Sequence, residues 1–133
     1  MTPEVCVGAV ALDRDRLLMV RRGRGVAAGE WSIPGGRVEP GELVVSAVVR
    51  KVAEETGLEV VCDRFLGWVE RIGEDYHYVI LDFVVTVLDA QPLRAGDDAA
   101  EALWVPLEDV TDYRLVDGLA DFLAEHHILR LIS

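Results

Sequence analysis

The segment from Gly36 to Leu58, GRVEPGELVVSAVVRKVAEETGL, gathers the residues of this chain best placed for acid, base or metal chemistry. Glu54 and Glu55 are adjacent carboxylates, Arg50 stands one helical turn before Glu54, and Lys51 precedes the pair by three and four residues. Residues three and four apart share a helix face, so the spacing predicts that Lys51, Glu54 and Glu55 project to one side. Two carboxylates packed together repel, and a hard divalent cation relieves that repulsion because it prefers oxygen ligands. Arg50 is placed to pair with Glu54 or with Glu42 at the helix entry, orienting the acids. Gly35 and Gly36 allow backbone to approach the helix closely.

This pattern resembles the Nudix box, with Gly36, Glu42, Arg50, Val52, Glu54, Glu55, Gly57 and Leu58 on its required positions. One position departs. The family places a glutamate directly after the arginine, and this chain has Lys51 there. The resemblance implies a hydrolase that cleaves a diphosphate linkage in a nucleoside diphosphate derivative, either a nucleotide sugar such as ADP-ribose or a nucleoside triphosphate. It implies Mg2+ or Mn2+ held by Glu54, Glu55 and the Gly36 carbonyl, with Arg50 among the catalytic residues. It also implies an α/β/α sandwich around a mixed β-sheet, and homodimers are frequent among similar proteins.

Hydrolysis of a diphosphate needs neutralised phosphate oxygens, a positioned water and a base for its proton. Exchanging glutamate for lysine at position 51 is a two-unit change of charge beside two carboxylates, which lowers cation affinity. The competing reading is a catalytically weak nucleotide-binding module whose metal site Lys51 impairs. An acid outside the box is expected to compensate. Asp97, Asp98 and Glu101 precede the strand Leu103-Trp104-Val105, and Glu101 is the first choice, followed by Asp98. Glu39, in the Gly36–Gly41 turn, is a weaker candidate.

Substrate contacts are assigned to arginines, with Arg21, Arg22 and Arg37 as phosphate binders and Arg24 clustered with the first two. Trp31, Trp68, Tyr76 and Tyr78 offer ring faces to a nucleobase, with core packing the default for most of them. His77 lies between two tyrosines in a strand, so its side chain points opposite to both, and towards a cleft on that face.

Elements must hold these groups in place. Val5–Leu12 and Leu17–Val20 flank a polar turn and read as a hairpin. Arg21–Glu30 reads as a loop and Trp31–Ile33 as a short strand ended by Pro34-Gly35-Gly36. Leu43–Thr56 has helical periodicity and Gly57 a C-terminal cap. Leu58–Cys62, Phe65–Glu70, Tyr76–Leu88 and Ala102–Val105 read as strands, Gln91–Ala100 as a loop, and Asp117–Leu129 as an amphipathic helix.

The 133 residues, 51% of them hydrophobic, suit one domain over 1–133 with a substantial core. The net charge of −11 repels phosphate backbones, which argues against nucleic-acid polymers but not against a small substrate met through a bound cation. No run reaches the roughly 18 apolar residues that a membrane span needs. The N-terminus lacks the basic stretch of a signal peptide. Cys6 and Cys62 sit in apolar runs and read as buried reduced thiols, which points to the cytoplasm.

Overall fold

The computed structural model describes residues 1–89 and 91–129; residue 90 and residues 130–133, the tail of the 1–133 unit, lie outside the description. In chain order the elements are β1 (Glu4–Asp13), β2 (Arg16–Arg22), β3 (Trp31–Ser32), β4 (Gly35–Arg37), α1 (Val44–Thr56), β5 (Val60–Ile72), β6 (His77–Val87), β7 (Ala99–Pro106), a 3-10 helix (Leu107–Asp112) and α2 (Leu119–Glu125). The strands form one mixed sheet in the order β3-β2-β1-β6-β5, with β4 paired to β1 and β7 to β2. β1 runs parallel to β6 from Glu4↔Tyr78 to Ala11↔Val85, and its antiparallel pairs Val7↔Gly36 and Gly8↔Gly35 bring β4 onto it.

Side-chain parity sorts the core into two layers, because alternate residues of a strand face opposite ways. Val7, Ala9 and Ala11 of β1 and Leu18 of β2 pack with Ala47, Val48 and Val52 of α1. Val10 of β1 and Leu17 and Met19 of β2 face the other way, onto Leu119, Phe122 and Leu123 of α2. The sheet therefore lies between two helical layers, as an α/β/α sandwich requires. None of the described helices is long and apolar enough to cross a membrane. Cys6 is buried on β1, Cys62 is only half-buried on β5, and both are free thiols.

The hairpin, α1 and the Gly57 cap follow the sequence pattern. Gly57 has φ 78° and donates its N–H to the Ala53 carbonyl. Three expectations are corrected. Leu58–Cys62 and Phe65–Glu70 belong to one continuous strand, because bulges at Cys62/Arg64 and Phe65/Gly67 let β5 bend without breaking its pairing with β6. The terminal helix is shorter than Asp117–Leu129: it starts after Gly118, at φ 81°, and gives way at His127, at φ 63°. The amphipathic pattern runs on because the N–H groups of Ile128 and Leu129 turn back onto the Leu123 carbonyl, at 2.8 and 3.2 Å. The last strand is longer than Ala102–Val105 and takes Glu101 out of the loop and into β7.

The β4–β1 contact admits no side chain at position 35: a Cβ on Gly35 would lie 2.2 Å from the Val7 carbonyl oxygen. A Cβ on Gly36 would meet the Lys51 side chain instead, 2.5 Å from its Cε. Backbone cannot yield as a lysine stem can. Gly35→Ala is therefore expected to cost about 1–3 kcal/mol and Gly36→Ala clearly less, as read from urea unfolding midpoints. Equal losses would mean that the Lys51 stem is as immobile as the sheet.

Candidate active site

The inward stripe of α1 consists of Ala47, Val48, Lys51, Val52, Glu55 and Thr56, so the helix buries an ammonium and a carboxylate one turn apart. Lys51 is 7% exposed and Glu55 6%. Successive helical residues differ by about 100° in direction, and Glu54 accordingly falls outside the stripe, on the exposed side. The two box glutamates occupy different environments and do not form the evenly crowded pair that the spacing suggests. Leu43 provides no side-chain cap for α1.

Arg50 fastens the entry loop to the helix. Its Nε and Nη2 donate to the two oxygens of Glu42 at 2.8 and 2.9 Å, its Nη1 to Glu54 Oε1 at 3.0 Å, and its Nη2 also to the Arg37 carbonyl at 3.0 Å. The planar guanidinium fork matches a carboxylate bidentately, which a lysine could not do. The hydrogen bonds from Arg50, assisted by the Glu39 N–H, hold the Glu42 carboxyl down at about 2. Glu42 therefore stays charged and fully occupied in shaping the loop.

Lys51 is the only lysine of the chain. Its Nζ lies 2.6 Å from Asp97 Oδ2, 3.5 Å from Glu54 Oε2 and 3.9 Å from Glu55 Oε2. Burial by itself would lower the Lys51 pKa, but the hydrogen bond it donates to Asp97 and the fields of Glu55, Asp97 and Glu54 more than compensate and raise it. The Lys51 hydrogen bond holds Asp97 below its ordinary range. Glu55 behaves differently: burial pushes it up to about 7, against the opposing pull of the Gly35 N–H on its Oε1 at 2.9 Å and of Lys51.

Acid oxygens from two elements thus converge on a single positive charge. The ammonium is a stand-in for the hard cation that such donors suit, and by that test Glu54, Glu55 and Asp97 fit a divalent ion in chemistry. Spacing is what the ammonium alters. Among the described residues, no three His, Cys, Asp or Glu side chains are grouped closely enough to hold a metal ion by themselves. The 3.5 and 3.9 Å from the ammonium to Glu54 and Glu55 exceed the roughly 2.0–2.6 Å of Mg2+ or Ca2+ to oxygen, and only the 2.6 Å to Asp97 reaches its upper limit.

The box opens onto a cleft of about 680 Å3, within the usual size for a small-molecule site. Arg22, Arg24 and Arg37 line it, together with Gly36, Arg50 and Lys51. Arg37 pairs with Glu4 at 3.1 Å and lies 6.0 Å from the Tyr78 ring centre, while Arg24 is held by Asp98. Tyr76 and Tyr78 stack at 5.2 Å on the cleft wall. Other candidates lie elsewhere. Arg21 and Glu101 face each other across β2 and β7 and form a 2.8 Å ion pair off the cleft. The loop acid that reaches the box is Asp97, not Glu101 or Asp98. His77 turns away from the tyrosines and from the cleft, and pairs with Glu70 at 3.2 Å. Trp31 is buried against Tyr113, and the exposed Trp68 does not line the cleft.

The sequence reading named Asp97 among the loop acids but preferred Glu101 and then Asp98, and it passed over Asp82. Asp97 sits at φ 53° directly after Gly96, and its place beside Lys51 depends on a loop path that no spacing reveals. Asp82 lines the cleft from the middle of β6, and its signal was visible: a lone acid inside the apolar run Val79–Val85.

Comparison with known proteins gives a consistent picture. The sequence profile of the NUDIX domain matches residues 2–126. The ADP-ribose pyrophosphatase of Methanocaldococcus jannaschii is 34% identical over 81% of this chain and 64% of its own length. The 8-oxo-dGDP phosphatase NUDT18 of Homo sapiens is 30% identical over 97% of this chain but 38% of its own. The chain thus spans less than two thirds of either relative. The crystal structure of a MutT NUDIX hydrolase from Burkholderia pseudomallei superposes with a TM-score of 0.79 at 27% identity, covering 92% of this chain and 97% of that one.

Glu55 supplies a pH signature. Its folded value, about 7, lies above the 4.5 of an ordinary glutamate. The folded state therefore binds the proton more tightly than the unfolded one, and stability falls as pH rises from 4.5 through 7. Glu55→Gln escapes that loss. Relative to the unsubstituted protein, its melting temperature in chelator should rise between pH 5 and pH 8; a constant difference would mean that Glu55 is not held protonated by burial.

Proposed function

We propose, because this chain belongs to the Nudix family, that it is a divalent-cation-dependent hydrolase of a diphosphate linkage in a nucleoside diphosphate derivative, with cation affinity limited by Lys51. The observation that carries this reading is the convergence of Glu54, Glu55 and Asp97 on one ammonium at the end of a nucleotide-sized cleft. The net charge of −11 favours small nucleotides over nucleic-acid polymers, and the free thiols Cys6 and Cys62 suit the cytoplasm.

Glu54, Glu55 and Asp97 would hold the cation, with the Gly36 carbonyl as a further oxygen from the family resemblance. Bound there, Mg2+ or Mn2+ supplies charge neutralisation for phosphate oxygens and a more acidic water. The chain's own groups do the rest. Arg50 keeps Glu54 aimed by holding one of its oxygens. Glu55, buried and near neutrality in its affinity for protons, has the property a proton acceptor needs at physiological pH. Arg22 and Arg37 on the cleft wall are placed to receive phosphate oxygens.

The 2.6 Å contact between Lys51 and Asp97 favours a second reading, in which the ammonium keeps its seat and the chain binds a nucleotide with little turnover. A phosphate-release screen over nucleotide sugars, dinucleotides and nucleoside triphosphates, run with Mg2+ and with Mn2+, separates the two. Turnover supports the first, and binding without turnover in any combination selects the second.

Two substitution series follow. Glu55→Gln removes charge but almost no volume, and should abolish most turnover while the protein stays folded by circular dichroism. Full activity in both Glu54→Gln and Glu55→Gln would mean that the site lies elsewhere. At an effective dielectric near 20, a unit-charge contact at 4 Å is worth about 4 kcal/mol. Even halved by solvent and side-chain swing, the two-unit change in Lys51→Glu should lower the half-saturating cation concentration by on the order of a hundredfold to a thousandfold. Lys51→Ala should fall between. Equal cation dependence in the three proteins contradicts the role given to Lys51, and loss of activity in both variants at saturating cation would make the lysine a substrate contact.

A further inference from the structure

Asp82 is a buried acid of the cleft that the chemistry above leaves unused. Parity on β6 turns it, with Ile80, to the cleft, while Phe83 and Val85 face α1. It is 3% exposed, and its Oδ1 has no hydrogen-bond partner among the described residues. Enclosed polar atoms nearly always have partners, since an unmade hydrogen bond is destabilising. Burial alone, with no charged neighbour contributing, lifts this carboxyl to about 7.

The neighbouring strands are built around it. Asp82 pairs with Gly8 on β1 and with Gly67 on β5, so a glycine flanks it on each side. A Cβ on Gly8 would lie 2.1 Å from Asp82 Oδ1 and 3.1 Å from Ile33 Cδ1, which places the carboxyl over the bare backbone of β1 beside Ile33. Space over Gly67 is taken by the His126 ring, 2.8 Å from a Cβ there, with Phe122 at 3.4 Å and its ring centre 4.4 Å from that of His126, tilted by 46°. One acceptor is thus enclosed among Ile33, Ile80 and Phe122, all of which line the same cleft as the box.

Resting on the reading of the substrate as a nucleotide, we infer that Asp82 reads the nucleobase: its carboxyl takes an N–H donor on the edge of a base seated between Ile33 and Phe122. A phosphate is disfavoured here, because among the described residues no cation stands close enough to Asp82 to shift its proton affinity. A sugar would set several hydroxyls against Ile33, Ile80 and Phe122, whose side chains offer no hydrogen-bond partner. A flat heteroaromatic ring presents apolar faces to the walls and a polar edge to the floor, as cleft sites of this kind require.

Calorimetric titration with AMP, GMP, CMP, UMP and ribose 5-phosphate, without divalent cation, tests this on the unsubstituted protein, Asp82→Asn and Asp82→Leu. The unsubstituted protein should rank the four nucleotides over about tenfold or more in affinity. Asp82→Asn, which exchanges an acceptor for a donor, should reorder them, and Asp82→Leu should weaken the best one about tenfold. Ribose 5-phosphate should bind all three proteins alike. Both variants should melt no lower than the unsubstituted protein, since each removes an enclosed unpaired carboxyl; if Asp82→Leu misfolds, the conservative Asp82→Asn still decides. An unchanged ranking in Asp82→Asn, a parallel loss of ribose 5-phosphate binding in Asp82→Leu, or no nucleotide binding at all overturns the inference. Turnover is not read, so a missing hydrolase activity with an Asp82-dependent ranking fells the proposed function alone, and the reverse outcome fells the base reading alone.

Discussion

A buried ammonium must be surrounded by anions, and much of this site follows from satisfying Lys51. An unpaired charge in an interior is among the costliest groups a fold can contain. Here the compensation comes from two places at once: Glu54 and Glu55 on α1, and Asp97 on the loop after β6. That loop also closes the end of α1, through Arg94 N–H to the Thr56 carbonyl at 2.9 Å and Gly96 N–H to the Glu55 carbonyl at 3.3 Å. Gly36 has no Cβ where the Lys51 stem passes, so strand, helix and loop meet around one side chain.

Arg50 and Lys51, adjacent in the box, divide the work. Arg50 serves geometry, because its fork holds Glu42, Glu54 and the Arg37 carbonyl in a fixed relation. Lys51 serves charge, as a compact ammonium in a nest of acid oxygens. Glu54 is oriented by the first and Glu55 buried beside the second, so adjacent residues of identical type acquire different proton affinities. Under the proposed function a divalent cation would compete with the ammonium for these oxygens, and the balance between the two would set the state of the site.

What the sequence disclosed and what it withheld divide along physical lines. Local periodicity and turn chemistry are written in neighbouring residues, so the first hairpin, α1 and its Gly57 cap were legible, and the box fixed the fold family. Long-range pairing is not written locally. Glu101 reads as a loop acid until the register of β7 sets it against Arg21, and Asp97 reads as the least favoured of three loop acids until the loop folds over Lys51. Bulges hide the continuity of β5 because they interrupt the alternation on which strand reading depends. Asp82 was legible in kind, a lone acid in an apolar strand, but its glycine neighbours belong to β1 and β5 and appear only once those strands are aligned.

Because Lys51 is the only lysine in the chain, its side chain can be followed without assignment by nuclear magnetic resonance of protein labelled with 13C at lysine Cε. Without divalent cation the lysine should titrate above the ordinary 10.5, held there by Asp97, Glu55 and Glu54. Adding Mg2+ with a nucleoside diphosphate should move the signal towards that of a solvent-exposed lysine and bring its titration down, as the cation takes over the carboxylates. A lysine signal that stays in place while Mg2+ supports turnover would contradict the account, because ammonium and cation would then not share a site.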